Sequence, residues 1–129
     1  MKTFFYTVLI LSCAAVNAEE KSRLDQIIAK RDALLAEIYD TLKSNRSSIR
    51  NPNEVRTAGL DLFSFRRDHA KTPPERIRWQ EQIVEMEKAE AKDARGRVAI
   101  GVMLPLDVTR AEERVLAAEQ KLLELQQTK

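Results

Sequence analysis

Apolar residues recur at three- and four-residue steps along most of the chain, which is the spacing of one face of an α-helix. From about Lys21 to Ser44 this stripe has one gap, which Arg31 fills. Its members are Leu24, Ile28, Leu35, Ile38 and Leu42. Turn-forming residues over 44–53 then interrupt the pattern. The stripe therefore predicts a first amphipathic helix over residues 21–44.

Two further helices are predicted on either side of a proline pair. We expect the second over 53–69, with Asn53 as its N-cap, and its apolar members are Val55, Ala58, Leu60, Leu62, Phe63 and Phe65. Pro73 and Pro74 fit the first turn of a third helix over 74–100, which Thr72 can cap. That helix carries a thin stripe of Ile77, Val84, Ala91, Ala94 and Val98, beside a second seam of Trp79, Ile83 and Met86.

The fourth helix, predicted over 106–127, carries a heptad seam. Three- and four-residue steps alternate through Val108, Ala111, Val115, Ala118, Leu122 and Leu125. Gly101 and Pro105 separate this helix from the third, and alanines in both stripes favour close antiparallel packing. No stretch alternates as a strand does. The pattern predicts an all-α fold, in which a coiled-coil-like antiparallel hairpin follows one or two additional N-terminal helices.

The amino-terminal segment, MKTFFYTVLILSCAAVNA over residues 1–18, has the features of a secretory signal peptide. Lys2 supplies the cation, residues 4–11 the apolar run, and Val16-Asn17-Ala18 the small-residue cleavage site. The run is far shorter than the roughly 20 residues of a transmembrane helix. We therefore expect an exported protein, with the periplasm as its location and residues 19–129 as a single helical domain.

The only cysteine, Cys13, lies inside this segment. Cleavage after Ala18 would leave a chain with neither thiol nor disulfide, stabilised by helix packing or by assembly. A second interpretation treats Ile10-Leu11-Ser12-Cys13 as a lipoprotein signal. Cys13 would then carry the lipid and attach the protein to a membrane, although Leu11 stands where a small residue is usual.

Composition narrows the classes of function. The chain of 129 residues has three Gly, four Pro and few aromatic residues, which argues against an all-β fold. Its net charge is +2, and removal of Lys2 with the signal would leave 21 Lys and Arg against 20 Asp and Glu. A balance this even provides no basic surplus for nucleic acid, so we expect protein partners instead.

The inventory of reactive side chains is small. His69 is the only histidine, and no cysteine remains after processing, so zinc sites and Ser-His-Asp triads are not expected from one chain. The three glycines are isolated, so no phosphate-binding loop is expected. We expect no catalytic, metal or cofactor site and no small-molecule site. The enzymatic alternative is a pair of carboxylates facing each other in a pocket.

A sharper pattern lies in residues 94–125, ARGRVAIGVMLPLDVTRAEERVLAAEQKLLEL. Its elements are Arg97 four residues before Gly101, Leu106-Asp107-Val108 after a short turn, and the Ala111-Glu112 and Ala118-Glu119 steps. This stretch resembles the outer-membrane efflux protein family, the TolC-type channel components of tripartite export pumps. In that family it forms the turn of a long helical hairpin, which packs in a trimeric α-barrel and meets the adaptor protein. The resemblance implies a hairpin that packs laterally or docks a partner at its tip. It does not imply a pore, because the chain is far shorter than a channel protomer.

We expect partner contacts at the hairpin tip and along its seam. The candidates are Arg97, Gly101, Met103, Leu104 and Asp107 at the tip, with Val108, Val115, Leu122 and Leu125 along the seam. Met103-Leu104 is an apolar pair in a turn where solubility favours polar residues. One predicted function is a structural or protein-interaction module of the cell envelope, acting through self-association or another partner. The alternative is a component of an export system that contacts an adaptor or a channel subunit. Membrane contact is expected only if Cys13 is lipidated.

Overall fold

The structure is a computed structural model that describes residues 3–44 and 52–128, with side chains over 15–44 and 53–128. Its four helices are α1 (Thr3–Ser44), α2 (Pro52–His69), α3 (Pro73–Ala99) and α4 (Pro105–Gln127). No strand occurs in these residues. The predicted all-α fold is confirmed. The chain divides into two compact units, Met1–Leu34 and Leu35–Lys129, each described by itself below.

The helix bounds agree with the sequence pattern except at α1. Helices α2 to α4 each begin and end within one residue of the predicted positions. Pro52 rather than Asn53 opens α2, because the fixed φ of proline fits a first helical turn. Helix α1 begins at Thr3 instead of about Lys21, since no proline or glycine interrupts the segment between them. Lys2, the predicted turn over 45–51 and the side chains of the apolar run and Cys13 lie outside the described residues.

The first unit is helical, and its described side chains over 15–34 are mostly exposed. Leu24, which the pattern placed on the apolar stripe, is exposed, while Ile28 is half-buried. Ile27 also presents an apolar side chain at the surface. None of the helices, as far as the structure describes them, is both long and apolar enough to cross a membrane.

In the second unit, α3 is the central helix, with α2 and α4 both packed against it. Two small clusters form the core. The first contains Ile83, Val84 and Ala118, with Leu60, Phe63 and Leu122 packed around them. The second contains Ala91, Ala94 and Ala111, with Met103, Val108 and Val115 packed around them. The heptad positions predicted on α4 thus form the face that packs against α3.

Helices α3 and α4 form an antiparallel hairpin. Arg95 Nη2 lies 2.9 Å from Glu112 Oε1, and Lys88 Nζ lies 3.3 Å from Glu119 Oε1. Lys88 comes seven residues before Arg95 on α3, whereas its partner Glu119 comes seven residues after Glu112 on α4. The two helices therefore run in opposite directions, and the ion pairs are one heptad apart. Between these ion pairs lie the buried alanines Ala91 and Ala94 of α3 and Ala118 of α4, whose small side chains let the two helices pack closely.

Aromatic rings join α2 to α3 and to the last part of α1, Leu35–Ser44. Phe63 stacks on Trp79 with the ring centroids 5.8 Å apart, and Tyr39 meets Phe63 edge-on at 5.5 Å. The bare Cα of Gly59 lets Tyr39 and Met86 come close to α2, because a Cβ at that position would collide with Met86. Trp79 is therefore a packing residue between helices. Its ring is also covered by the Arg66 guanidinium at 5.0 Å.

Candidate functional site

The hairpin tip, residues 97–107, begins with a well-defined end to α3. The N–H of Val102 donates to the carbonyl of Arg97 at 3.0 Å, and the N–H of Gly101 donates to the carbonyl of Val98 at 3.0 Å. These two bonds are those of a Schellman motif, which needs a residue in the left-handed conformation. Gly101 supplies it with φ of 77°. The role of Gly101 is therefore to end the helix and turn the chain.

The start of α4 is only half capped. Leu104 is the N-cap residue, Pro105 opens the helix, and the Asp107 carboxylate accepts a hydrogen bond from the Leu104 N–H at 3.2 Å. A capping box also requires an oxygen on the N-cap side chain to accept from the third N–H of the helix. Leucine has no such oxygen, so the second bond of the box is missing. Asp107 thus acts within the turn.

The tip exposes a cluster of apolar side chains. The largest exposed fractions are 73% for Ile100, 68% for Val102, 68% for Leu104 and 55% for Leu106. The prediction that Met103 is exposed with Leu104 is wrong, because the Met103 side chain turns inward and packs against the Ala91, Ala94 and Ala111 cluster. The exposed apolar surface is therefore formed by Leu104 and three residues that the sequence analysis did not select.

The charged residues around the tip pair with one another. Arg97 forms an ion pair with Asp93 one turn earlier on α3. Asp107 lies 3.7 Å from Arg110, and Arg95 pairs with Glu112 across the hairpin. Each of these cations has a carboxylate partner within its own chain. The apolar tip is consequently bordered by neutralised pairs and not by a surplus of either sign.

The predicted seam residues lie inside the hairpin. Val108 and Val115 pack against the alanine cluster, Leu122 packs against the cluster of Ile83, Val84 and Ala118, and Leu125 is half-buried. Their contacts are therefore made within one chain. Gly101, Leu104 and Asp107 thus lie together at the tip, with Val108 directly after them on α4, whereas Val115, Leu122 and Leu125 lie further along the hairpin.

A buried carboxylate lies in the middle of the seam, where the sequence analysis placed no functional residue. Glu87 is 4% exposed and lies on α3 between α2 and α4. Arg56 of α2 donates to it twice, at 3.0 Å from Nε and 2.6 Å from Nη2. Arg114 of α4 approaches with Nε 3.5 Å from Glu87 Oε2, and that buried Nε donates no hydrogen bond. One carboxylate thus ties three helices together.

A second buried polar residue, Gln80, lies one heptad before Glu87 and is 1% exposed. Its Nε2 donates to the backbone carbonyl of Ala118 at 2.9 Å, and its Oε1 accepts from Arg67 Nη1 at 2.7 Å. Both ends of the amide are therefore satisfied, one by α4 and the other by α2. Gln80 and Glu87 can each be satisfied in only one alignment of the three helices, so they fix the helix register.

No protein-family model, curated protein or solved structure matches this chain. The likeness of residues 94–125 to the efflux proteins therefore stays a prediction. Among residues 3–44 and 52–128, no group of three His, Cys, Asp or Glu side chains lies close enough to hold a metal ion. Helices α3 and α4 thus present an exposed apolar tip, held by the hydrogen bonds of the turn, on a hairpin whose register is fixed by buried polar residues.

Proposed function

We propose that the protein is a small exported helical module of the cell envelope, without enzymatic activity, that docks a protein partner at its hairpin tip. The observation that carries this proposal is the exposed apolar cluster on the turn between α3 and α4, formed by Ile100, Val102, Leu104 and Leu106. Such clusters on soluble proteins mark sites of interaction.

The choice of residue at the N-cap of α4 supports the proposal. Ser, Thr, Asp or Asn at an N-cap is typically about 1 kcal/mol more favourable than an apolar residue. Asp107 is already in place to complete a capping box, yet position 104 holds a leucine. A residue that lowers helix stability and exposes an apolar side chain fits a role in binding, since functional sites often sacrifice stability.

The charges around the tip favour an apolar protein pocket over an anionic lipid surface. Segments that bind anionic membranes gain affinity from unpaired Lys and Arg near the surface. Here Arg97, Arg110 and Arg95 each have a carboxylate partner in the same chain. An uncharged apolar pocket on a partner protein matches this surface better.

Photo-crosslinking from single positions tests the proposal. A photoreactive amino acid at position 102 or 104 should yield a cross-link to one partner, identified by mass spectrometry, in cells that express the protein. The same group at Lys121, which is exposed on α4 away from the tip, should not yield that product. Equal yields from position 104 and position 121, or cross-links to lipid alone, would contradict a protein-docking tip.

Export is proposed from the amino-terminal segment, which carries a cation, an apolar run and a small-residue cleavage site. We expect the protein recovered from the periplasm to begin at Glu19. A lipid on Cys13 would instead make it a membrane-attached lipoprotein. Intact-mass measurement distinguishes the two, and a cytoplasmic chain that retains Met1 would contradict export.

The second candidate function is a component of an export system, related to the outer-membrane efflux proteins and contacting an adaptor or channel subunit. Gly101 ends α3 in the left-handed conformation at the point of the chain where the resemblance lies, which supports a hairpin of that kind. This function predicts altered drug susceptibility or export on deletion, and a cross-linked partner that is a pump subunit. A partner unconnected with transport, together with normal export, would rule it out.

A further inference from the structure

A groove of about 440 Å³ runs along the α3–α4 hairpin, away from the tip. All its lining residues belong to these two helices: Lys88, Ala91 and Arg95 from α3, and Glu112, Val115 and Leu116 from α4. Leu116 is 65% exposed, and Leu123, one heptad further along α4, is 56% exposed. The floor is apolar and its rims are charged, which is the pattern of a helix-packing face.

The two rims have opposite charge. On α3, Lys88, Lys92 and Arg95 follow one another at three- and four-residue steps, and on α4 Glu112 and Glu119 are one heptad apart. The ion pairs that Lys88 and Arg95 make with these glutamates within one chain are exposed to solvent. Such pairs contribute little to the stability of a single chain. They remain free to be shared with a second molecule that presents the same two rows.

We propose that this groove face pairs with the same face of a second copy of the chain, giving an antiparallel four-helix dimer independent of the tip. With a two-fold axis parallel to the helices, α3 of each copy lies over α4 of the other, and the α3–α4 register places Lys88 level with Glu119 of the second copy. Arg95 then lies level with Glu112 of the second copy. The cationic row of each copy therefore faces the anionic row of the other.

The size of the groove face and the small hydrophobic core both favour a second copy of the chain as the partner of this face. Two packed helices as long as α4 present a face about 35 Å long and about 20 Å wide. Such a face buries about 700 Å² on each copy, or about 1,400 Å² in total. That total lies within the usual range for a stable interface. Of the nine buried apolar residues in the described part of the chain, five are alanine. A core this small gains from assembly.

Charge reversal tests the pairing. One variant, Lys88→Glu/Arg95→Glu, reverses the charge of the two α3 residues that pair with α4, and the other, Glu112→Lys/Glu119→Lys, makes both rows basic. Sedimentation velocity should show a dimer for the unmodified protein, monomers for each variant alone, and a dimer again for an equimolar mixture. The mixture should dimerise at least about 100-fold more tightly than either variant alone, because like charges facing each other across an interface cost several kcal/mol. Because each chain in the mixture keeps its own broken ion pairs, restored folding within one chain does not explain restored dimerisation.

Leu116→Glu tests the pairing without charge reversal. Because Leu116 is exposed in the single chain, its replacement should leave the fold of one chain intact. We expect it to give a folded monomer, by circular dichroism and sedimentation, while the matched variant Leu106→Glu at the tip stays dimeric. A monomeric unmodified protein, a dimer that survives both Leu116→Glu and charge reversal, or a mixture that stays monomeric would overturn the proposal. None of these results depends on whether the tip docks a partner.

Discussion

Replacement of Arg56 by methionine isolates the contribution of the buried Glu87 cluster. Methionine keeps much of the length and apolar volume of the arginine stem but removes the guanidinium, which donates at 2.6 Å and 3.0 Å to the two carboxylate oxygens. The Glu87 side chain is 5% exposed, so water does not replace these bonds. In Arg56→Met the carboxylate retains only Arg114, with Nε at 3.5 Å.

The expected loss of stability follows from the geometry. Removal of one partner of a fully buried ion pair costs about 3–5 kcal/mol, because the remaining charge is uncompensated. Arg114 still compensates Glu87 in part, so we expect Arg56→Met to lower the free energy of unfolding by about 2–3 kcal/mol. Arg56→Met/Glu87→Met removes the buried charge as well. We expect that double variant to lie within about 1 kcal/mol of the unmodified protein, since the Arg114 side chain is partly exposed and its Nε donates no hydrogen bond even in the unmodified protein.

Urea denaturation followed by circular dichroism at 222 nm measures these free energies, at one protein concentration throughout. Arg95→Met is the matched control, because its ion pair with Glu112 is exposed on both sides and should change stability by less than about 1 kcal/mol. A loss below about 0.5 kcal/mol for Arg56→Met would refute the reasoning. So would a double variant less stable than the Arg56→Met single.

The remaining predictions concern the hairpin and use the same unfolding assay. Gly101→Ala should lose about 1–2 kcal/mol because of its positive φ, whereas Gly96→Ala, inside α3 with open space around its Cα, should gain about 0.5–1 kcal/mol. If the two variants change the free energy of unfolding by the same amount, the left-handed conformation assigned to Gly101 is wrong. Leu104→Ser should complete the capping box with Asp107 and gain about 1 kcal/mol, and a loss would contradict the half-capped geometry. Ala111→Leu should lose about 1–3 kcal/mol by overpacking a residue that is 1% exposed, and a neutral result would mean that the helices separate easily.

Much of the fold follows from sequence because its determinants are local. One proline pair and a threonine cap set the start of α3, and Thr72 Oγ1 accepts from the Glu75 N–H as expected. The heptad on α4 is uninterrupted, so its packed face is readable residue by residue. The start of α1 does not follow from the apolar stripe, because residues 3–20 lie outside the stripe but contain no proline or glycine that would interrupt a helix.

The burial of Gln80 and Glu87 was not predicted, because the residues that hydrogen-bond to them lie far away along the chain. Arg56 and Glu87 are 31 positions apart, and in a single sequence both resemble ordinary surface charges. A signal was present: the α3 stripe has gaps at positions 80 and 87, which are the places where its four- and three-residue steps require a buried residue. The direction of the Met103 side chain depends on packing against α3 and was not predictable from the turn alone.

The central claim is that the tip binds a partner at the expense of helix stability. Two measurements on Leu104→Ser test it most directly: the affinity for the partner and the free energy of unfolding. The affinity for the cross-linked partner, from titration calorimetry, should fall by at least about tenfold, because burial of a leucine contributes about 1.5–3 kcal/mol and tenfold corresponds to about 1.4 kcal/mol. The free energy of unfolding should rise in the same variant. Unchanged affinity with raised stability would contradict the claim, since Leu104 would then have no binding role.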